Sequence, residues 1–164
     1  MNATATAIRS VTSDVRVASA LDRAQLRRFL VGLSPASILT RFHGAGFHPS
    51  DEMLDLLLCR YLPGRALVVE DDGEIVGHAL WCASPGRPDV AEISIVVADA
   101  WHGYGIGTRL ARAAVADARA HGVEVVVAPV LDGDRAARRL VRRVLPGAAR
   151  RFFGEVVDYQ ARVA

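Results

Sequence analysis

The chain has 164 residues, of which 51% are hydrophobic, and its 20 basic residues against 18 acidic ones give a net charge of +2. This length suits one domain with its own core, so we expect a single domain over residues 1–164, with residues 1–9 flexible. The balanced charge argues against a nucleic-acid partner, and the lack of any run of about 18 apolar residues argues against a membrane span.

The first part of the chain predicts one short strand followed by helices. Residues 15–17 alternate as in a strand, and apolar residues then recur at helical spacing over residues 26–33. Ser34 and Pro35 mark a helix start, because the hydroxyl can cap the first turn and proline is tolerated there. Ser50 begins a third helix, which ends before the next glycine. The apolar stripe of this helix consists of Leu54, Leu57, Leu58 and Tyr61.

Three strands are predicted next. Residues 65–70 and 74–83 are rich in β-branched side chains and flank Asp71-Asp72-Gly73, a hairpin turn signal. After a turn rich in glycine and proline, residues 89–97 alternate as the third of these strands. Consecutive strands joined by such short turns favour antiparallel pairing.

The last third of the chain predicts alternating helices and strands. Residues 106–120 form an amphipathic helix pattern, and residues 123–130 are a valine-rich run typical of a strand buried on both faces. Asp134 can cap a further helix, which Pro146 ends, and residues 150–163 predict a closing hairpin. The order β, helices, βββ, α, β, α, ββ indicates one α/β domain.

The turn between the strand at residues 89–97 and the helix at residues 106–120 carries glycine at every second position: Gly103, Gly105 and Gly107. Glycines allow close approach to the backbone, and a helix start offers unpaired N–H groups and the positive end of the helix dipole. These features predict a cradle for an anion, most often phosphate. A dinucleotide-binding turn would instead lie in the first βα unit, whereas here three strands precede it.

The segment His102-Gly103-Tyr104-Gly105-Ile106-Gly107 resembles the phosphate motif of the GNAT family of acyl-CoA-dependent N-acetyltransferases, and the resemblance covers nearly the whole chain. It implies an α/β fold with a mixed, mostly antiparallel sheet of six or seven strands and helices on both faces. The fourth and fifth strands of that sheet would be parallel and splayed around acyl-CoA. The activity implied is transfer of an acetyl group from the co-substrate acetyl-CoA to a primary amine, without a metal.

A narrower resemblance concerns residues 33–42, which read Leu-Ser-Pro-Ala-Ser-Ile-Leu-Thr-Arg-Phe. They look like a segment of the acetyltransferase domains of bacterial protein lysine acetyltransferases of the Pat type. The acceptor implied is a protein lysine. Acetylation of a small-molecule amine and a non-catalytic acyl-CoA sensor remain alternatives, and a homodimer stays open.

The resemblance also implies which residues bind the coenzyme. The backbone of the fourth strand would hold the pantetheine arm, and the glycine-rich turn would donate N–H groups to the pyrophosphate. The expected coenzyme-binding residues are Val96, Val97, His102, Gly103, Tyr104, Gly105, Ile106, Gly107 and Thr108.

Glu92 matches the position of the general base in that group. Strand alternation places it about 13 Å from the end of its strand, and apolar neighbours would raise its pKa, as a base for an amine requires. The alternative is a glutamate paired with an arginine.

The chain departs from the family pattern at several positions, among them Leu145-Pro146 where the pattern has Gly-Phe. His102 replaces an arginine or glutamine, and Tyr104 stands where a basic residue is common. Asp134 replaces an asparagine, so we expect a helix cap there and no coenzyme contact. Val141 replaces a tyrosine that would donate a proton to the departing thiolate of the coenzyme. Because a thiol has a pKa of about 8.5, the thiolate can leave with solvent help. The arginines of the last helix are expected to form a solvated face; they are Arg138, Arg139, Arg142 and Arg143.

The cysteine and lysine counts bear on location and on self-modification. Cys59 and Cys82 have no metal-ligand spacing and are typical of reduced core thiols. Together with an N-terminal segment that lacks an apolar signal region, they predict a cytoplasmic protein. All the basic residues are arginine, so self-acetylation of a side-chain amine is not expected.

Overall fold

The computed structural model describes residues 14–44 and 47–164; the segment expected to be flexible, residues 1–9, lies outside them. In chain order the elements are β1 (Arg16–Val17), α1 (Arg23–Val31), α2 (Pro35–Phe42), α3 (Asp51–Leu57), β2 (Gly64–Asp71), β3 (Glu74–Ser84), β4 (Arg87–Val97), α4 (Ile106–Ala120), β5 (Val125–Leu131), α5 (Arg135–Val144), β6 (Ala149–Phe153) and β7 (Val156–Arg162). The predicted order of elements is confirmed, and α4 has the predicted bounds.

The seven strands form one sheet in the order β1-β2-β3-β4-β5-β7-β6. Among the described strands β4 and β5 alone run parallel to each other, and every other neighbouring pair is antiparallel. This confirms the predicted mixed, mostly antiparallel sheet of an α/β fold. The parallel pair lies in the middle of the sheet.

Helices cover both faces of the sheet, as predicted. α4 packs on one face, where the core consists mainly of Trp81, Ile93, Ile106, Leu110, Ala114, Ala118 and Val126. α1 and α3 pack on the other face, where the core includes Leu26, Phe29, Leu30, Leu54, Leu57, Val68 and Ile75. None of the described helices is long and apolar enough to cross a membrane.

Two burial predictions are wrong. Leu54, Leu57 and Leu58 of the expected apolar stripe are buried, but Tyr61 is 74% exposed, because α3 ends at Leu57 and the helical spacing does not reach residue 61. The strand predicted at residues 123–130 is not buried on both faces; within β5 only Val126 and Val130 are buried. The reason at Ala128 and Pro129 is that β5 separates from β4 there, so that both residues line an open groove.

Candidate active site

The groove exists because β4 and β5 pair over only three residues. Val90, Ala91 and Glu92 pair with Val125, Val126 and Val127, and no further residues of the two strands are in register. The strands then diverge towards their carboxyl ends. Backbone groups that would pair in a continuous sheet are therefore left free beyond Glu92.

Pro129 accounts for the end of this pairing. The N–H of Asp132 donates to the carbonyl of Glu155, on the side of β5 that faces β7. Because backbone groups alternate in direction along a strand, the backbone groups of residue 129 face β4 instead. Proline has no N–H and cannot donate to the facing carbonyl, that of Ile93. The sequence interpretation missed this role, although a proline inside a valine-rich run was the available signal.

The free backbone groups on this edge of β4 are the carbonyl of Ile93, both groups of Ile95 and the N–H of Val97, because the Val97 carbonyl accepts from His102. The N–H of Ala98 donates to Val76 on β3, so alternation turns the groups of Val96 towards β3 and those of Ile95 and Val97 towards the opening. Val96 and Val97 both line the groove, as expected. They differ in that the backbone groups of Val96 point to β3, with which Val96 pairs in the sheet.

The groove has an inner and an outer part. The inner part, of about 330 Å³, contains Glu92, and the outer part, of about 470 Å³, contains the glycine-rich turn. The two parts are continuous, because they share the lining residues Thr40, Ile95, Asp134, Ala137 and Leu140. Such volumes are in the range of small-molecule sites.

The glycine-rich turn begins α4 as predicted. Gly103 and Gly105 have φ values of +85° and +79°, a conformation that side chains disfavour. Gly105 is the N-cap of α4, and no side chain caps the helix, so the first N–H groups of α4 stay available to a ligand. Gly107 does not have a positive φ. A Cβ added there would lie 3.7 Å from the side chains of Leu140 and Val97, which is an ordinary contact distance.

The structure brings together most of the expected coenzyme-binding residues. His102, Gly103, Gly105, Ile106, Gly107 and Thr108 line the outer groove. The His102 ring donates through Nε2 to the carbonyl of Val97 at 2.9 Å, which fixes the turn to the end of β4. Tyr104 is not among the lining residues, and its ring meets Trp101 edge-on at 5.7 Å.

Two of the α5 arginines expected to form a solvated face are exposed and also line the outer groove. Arg139 and Arg143 are one turn apart and face the glycine-rich turn, whereas Arg138 pairs with Asp132 at 3.7 Å. The spacing of four residues was visible in the sequence, but the helix face could not be oriented without the sheet. Asp134 also borders the groove and caps α5, accepting from Ala137 at 2.9 Å.

Glu92 opens into the inner groove, where Arg41 and His43 approach from the end of α2. Glu92 is exposed to the groove, but partial desolvation of its carboxyl raises its pKa, in the direction expected from its apolar neighbours. Arg41 and His43 oppose this rise and Asp158 adds to it. Among the described residues, no basic side chain forms an ion pair with Glu92, so the alternative of a paired glutamate is not observed.

Other chemistry in the groove is sparse. Val141, where the family pattern has a tyrosine acid, is buried and lines the inner part. Within residues 14–44 and 47–164, no group of three or more histidine, cysteine, aspartate or glutamate side chains is arranged to hold a metal. The arrangement offers one carboxylate at the inner end and an anion cradle at the outer end.

Comparison with known proteins agrees with this geometry. The family model described as "Acetyltransferase (GNAT) family" matches residues 35–145. The GNAT domain of *S. lividans* PAT superposes with a TM-score of 0.79 at 22% identity, over 90% of this chain and 89% of that one. A GNAT superfamily phosphinothricin acetyltransferase from *Sinorhizobium meliloti*, solved with acetyl-CoA, superposes with a TM-score of 0.74 at 18% identity, over 92% and 88%. At these identities the likeness concerns the fold.

Curated relatives match a shorter stretch. L-methionine sulfoximine/L-methionine sulfone acetyltransferases of *Pseudomonas paraeruginosa* and *Pseudomonas aeruginosa* are 35% identical over 86 residues, which is 49% of this chain and 50% of each relative. The chain thus spans about half the length of the curated relatives it matches.

Proposed function

The chain belongs to the GNAT family of acetyltransferases, and we propose that it transfers an acetyl group from acetyl-CoA to a primary amine, with Glu92 as general base. One observation carries the proposal. A single groove joins the uncapped start of α4 to a carboxylate that has no ion-pair partner among the described residues. The first feature suits a phosphate, and the second suits the removal of a proton.

The coenzyme would lie along the groove in an extended form. The N–H groups at residues 102–108 would bind the pyrophosphate, with Arg139 and Arg143 adding positive charge that Tyr104 does not supply. The free backbone groups of Ile95 and the free N–H of Val97 would pair with the amides of the pantetheine arm. This pose brings the thioester towards Glu92.

Bound acetyl-CoA supplies a thioester, whose acetyl carbon forms a bond to the amine nitrogen as its bond to sulfur breaks. Glu92 accepts the proton that the amine loses, directly or through water, and its raised pKa suits that role. Val141 provides no proton for the departing thiolate, so solvent protonates it. The remaining contribution of the protein is to position both reactants.

The names of the curated relatives support a small amine as acceptor, because those proteins acetylate L-methionine sulfoximine and L-methionine sulfone. Acetylation of a protein lysine is the second candidate. It is favoured by the segment at residues 33–42, which resembles the Pat-type segment. We also propose a cytoplasmic location, since both cysteines are unpaired thiols. The homodimer stays a prediction.

The test is an assay for free thiol release from acetyl-CoA with a panel of small amines and lysine-bearing proteins, followed by mass spectrometry of the acetylated product. We expect amine-dependent release. Because the chain has no lysine, acetylation of its own side-chain amines does not add a background. Binding of acetyl-CoA without thiol release for any acceptor would favour the acyl-CoA sensor instead.

A further inference from the structure

Arg41 is unusual among the described arginines. It is partly buried, its Nε is enclosed and has no hydrogen-bond partner among the described residues, and its guanidinium lies 4.7 Å from the centre of the Phe42 ring. The other described arginines either pair with a carboxylate or have exposed side chains. Burial lowers the pKa of Arg41 to about 10, so it remains charged near neutral pH.

The titratable groups that interact electrostatically with Arg41 do not balance its charge. Burial raises the pKa of Cys59 to about 12 and lowers that of His78 to about 3, so both are neutral at physiological pH. Glu92 is the negative group that interacts with Arg41 within the described chain, but the two do not form an ion pair. Arg41 thus carries a partly desolvated charge that no carboxylate pairs with among the described residues, so an anion entering this part of the groove would be stabilised there.

Arg41 and Glu92 line the same inner groove of about 330 Å³. Resting on the proposed function, we propose that Arg41 determines acceptor specificity by binding a carboxylate of the acceptor, so that the acceptor is a free α-amino acid rather than a protein lysine. A guanidinium binds a carboxylate through two parallel hydrogen bonds, which would also orient the amine.

An α-amino acid carries both acceptor groups on one carbon. Its amine and its carboxylate would therefore enter the inner groove together, and Glu92 and Arg41 both line that groove. A lysine side chain presents its amine at the end of four methylenes and brings no anion of its own. Such an acceptor would leave the Arg41 charge without a partner in the complex.

The test compares each of a set of free L-α-amino acids with its own α-carboxamide, and adds a lysine peptide with blocked termini. The carboxamide is the more easily deprotonated amine, so a preference for the acid cannot come from amine reactivity. We expect kcat/KM for the best amino acid to exceed that of its carboxamide and of the peptide by about 100-fold.

Arg41→Gln should remove that preference. We expect kcat/KM for the amino acid to fall about 100-fold, mainly through KM, while the value for the carboxamide changes less than about 3-fold. Arg41→Lys keeps the charge but loses the two parallel hydrogen bonds, so its kcat/KM for the amino acid should lie between those of the wild type and Arg41→Gln. Arg112→Gln is the matched control, because Arg112 lies exposed on α4 and lines neither part of the groove.

Stability separates a binding role from a structural one. Removing a partly desolvated charge that has no carboxylate partner should not lower the thermal midpoint of the free protein. Binding of the amino acid should raise the midpoint of the wild type but not that of Arg41→Gln.

If Arg41→Gln does not fold, Arg41 is structural and the inference is overturned. It is equally overturned if the wild type turns over carboxamides or the peptide as well as the acids, or if Arg41→Gln loses activity on all of them alike. Absence of turnover with every acceptor would instead contradict the proposed function itself.

Discussion

Ser34 and Asp99 join the start of α2 to the end of β4. The Oγ of Ser34 donates to Oδ1 of Asp99 at 2.6 Å, and the N–H of Ser34 donates to Oδ2 at 3.0 Å. Ser37 adds a third hydrogen bond, from its Oγ to Oδ1 at 2.8 Å. Since α2 also carries Arg41 and β4 carries Glu92, this contact helps to fix the two charged groups relative to each other.

Asp99→Asn should weaken this contact in a pH-dependent way. Burial raises the pKa of Asp99, but the hydrogen bonds from Ser34 and Ser37 outweigh it and lower the pKa to about 2. Because this pKa is below that of an unfolded aspartate, the stabilisation is present above about pH 4 and is lost as the pH falls towards 2. We expect Asp99→Asn to lower the thermal midpoint by about 3 °C at pH 7. Thermal unfolding of both proteins from pH 7 to pH 2 checks this. A difference in thermal midpoint between the wild type and Asp99→Asn that does not become smaller below pH 4 would contradict the prediction.

The elements that could be predicted from the sequence are those with local signals. The 3.6-residue period and the glycines identified α4 and its anion cradle, and Ser34 followed by Pro35 identified the start of α2. The burial of β5 and the orientation of Arg139 and Arg143 depend on which strands lie beside them, and a local pattern does not contain that information. For the same reason no role for Arg41 could be predicted before the structure placed Arg41 and Glu92 in the same groove.

Pro129→Ala should narrow the groove. Alanine restores an N–H that can donate to β4, so the pairing of β4 and β5 can extend beyond Glu92 and Val127. We expect acetyl-CoA to bind about 10-fold more weakly, or about 1.4 kcal/mol, with no loss of thermal stability. Calorimetry measures the affinity, and hydrogen exchange should show a protected amide at position 129. Pro146→Ala, outside the groove, is the control; unchanged affinity in a folded Pro129→Ala variant would show that other contacts keep the strands apart.

Arg139→Gln and Arg143→Gln should each weaken acetyl-CoA binding about 5-fold, because both side chains line the outer groove but remain exposed. Removing one cation should also reduce the salt dependence of binding. Arg142→Gln is the matched control on the same helix, since Arg142 is exposed and lines neither part of the groove. Titrations at low and high salt measure both effects, and equal losses in all three variants would indicate a general charge effect rather than contact.

Gly105→Ala and Gly107→Ala should affect different properties. At Gly105 the φ of +79° strains any side chain, so we expect a loss of about 1 to 2 kcal/mol in the free energy of unfolding. At Gly107 the backbone is helical and a Cβ meets only ordinary contacts, so stability should be kept or rise by about 0.5 kcal/mol. The added methyl at Gly107 enters the groove and should still weaken acetyl-CoA binding. Denaturant unfolding and calorimetry separate the two effects, and a stable Gly105→Ala variant would argue against the strain.

Glu92→Gln should abolish most of the turnover without removing coenzyme binding. The amide keeps the size and polarity of the carboxylate but cannot accept a proton, so we expect kcat to fall about 10²- to 10⁴-fold while acetyl-CoA affinity changes little. Partial desolvation raises the pKa of Glu92, so wild-type activity should decline on acidification at a pH above the ordinary range for a glutamate, and the variant should lose this acid limb. The measurement is the pH dependence of kcat and kcat/KM for both proteins, with acetyl-CoA binding measured in parallel. A variant that keeps its rate and its acid limb would assign the base to another group, and a collapse of affinity together with rate would make Glu92 structural.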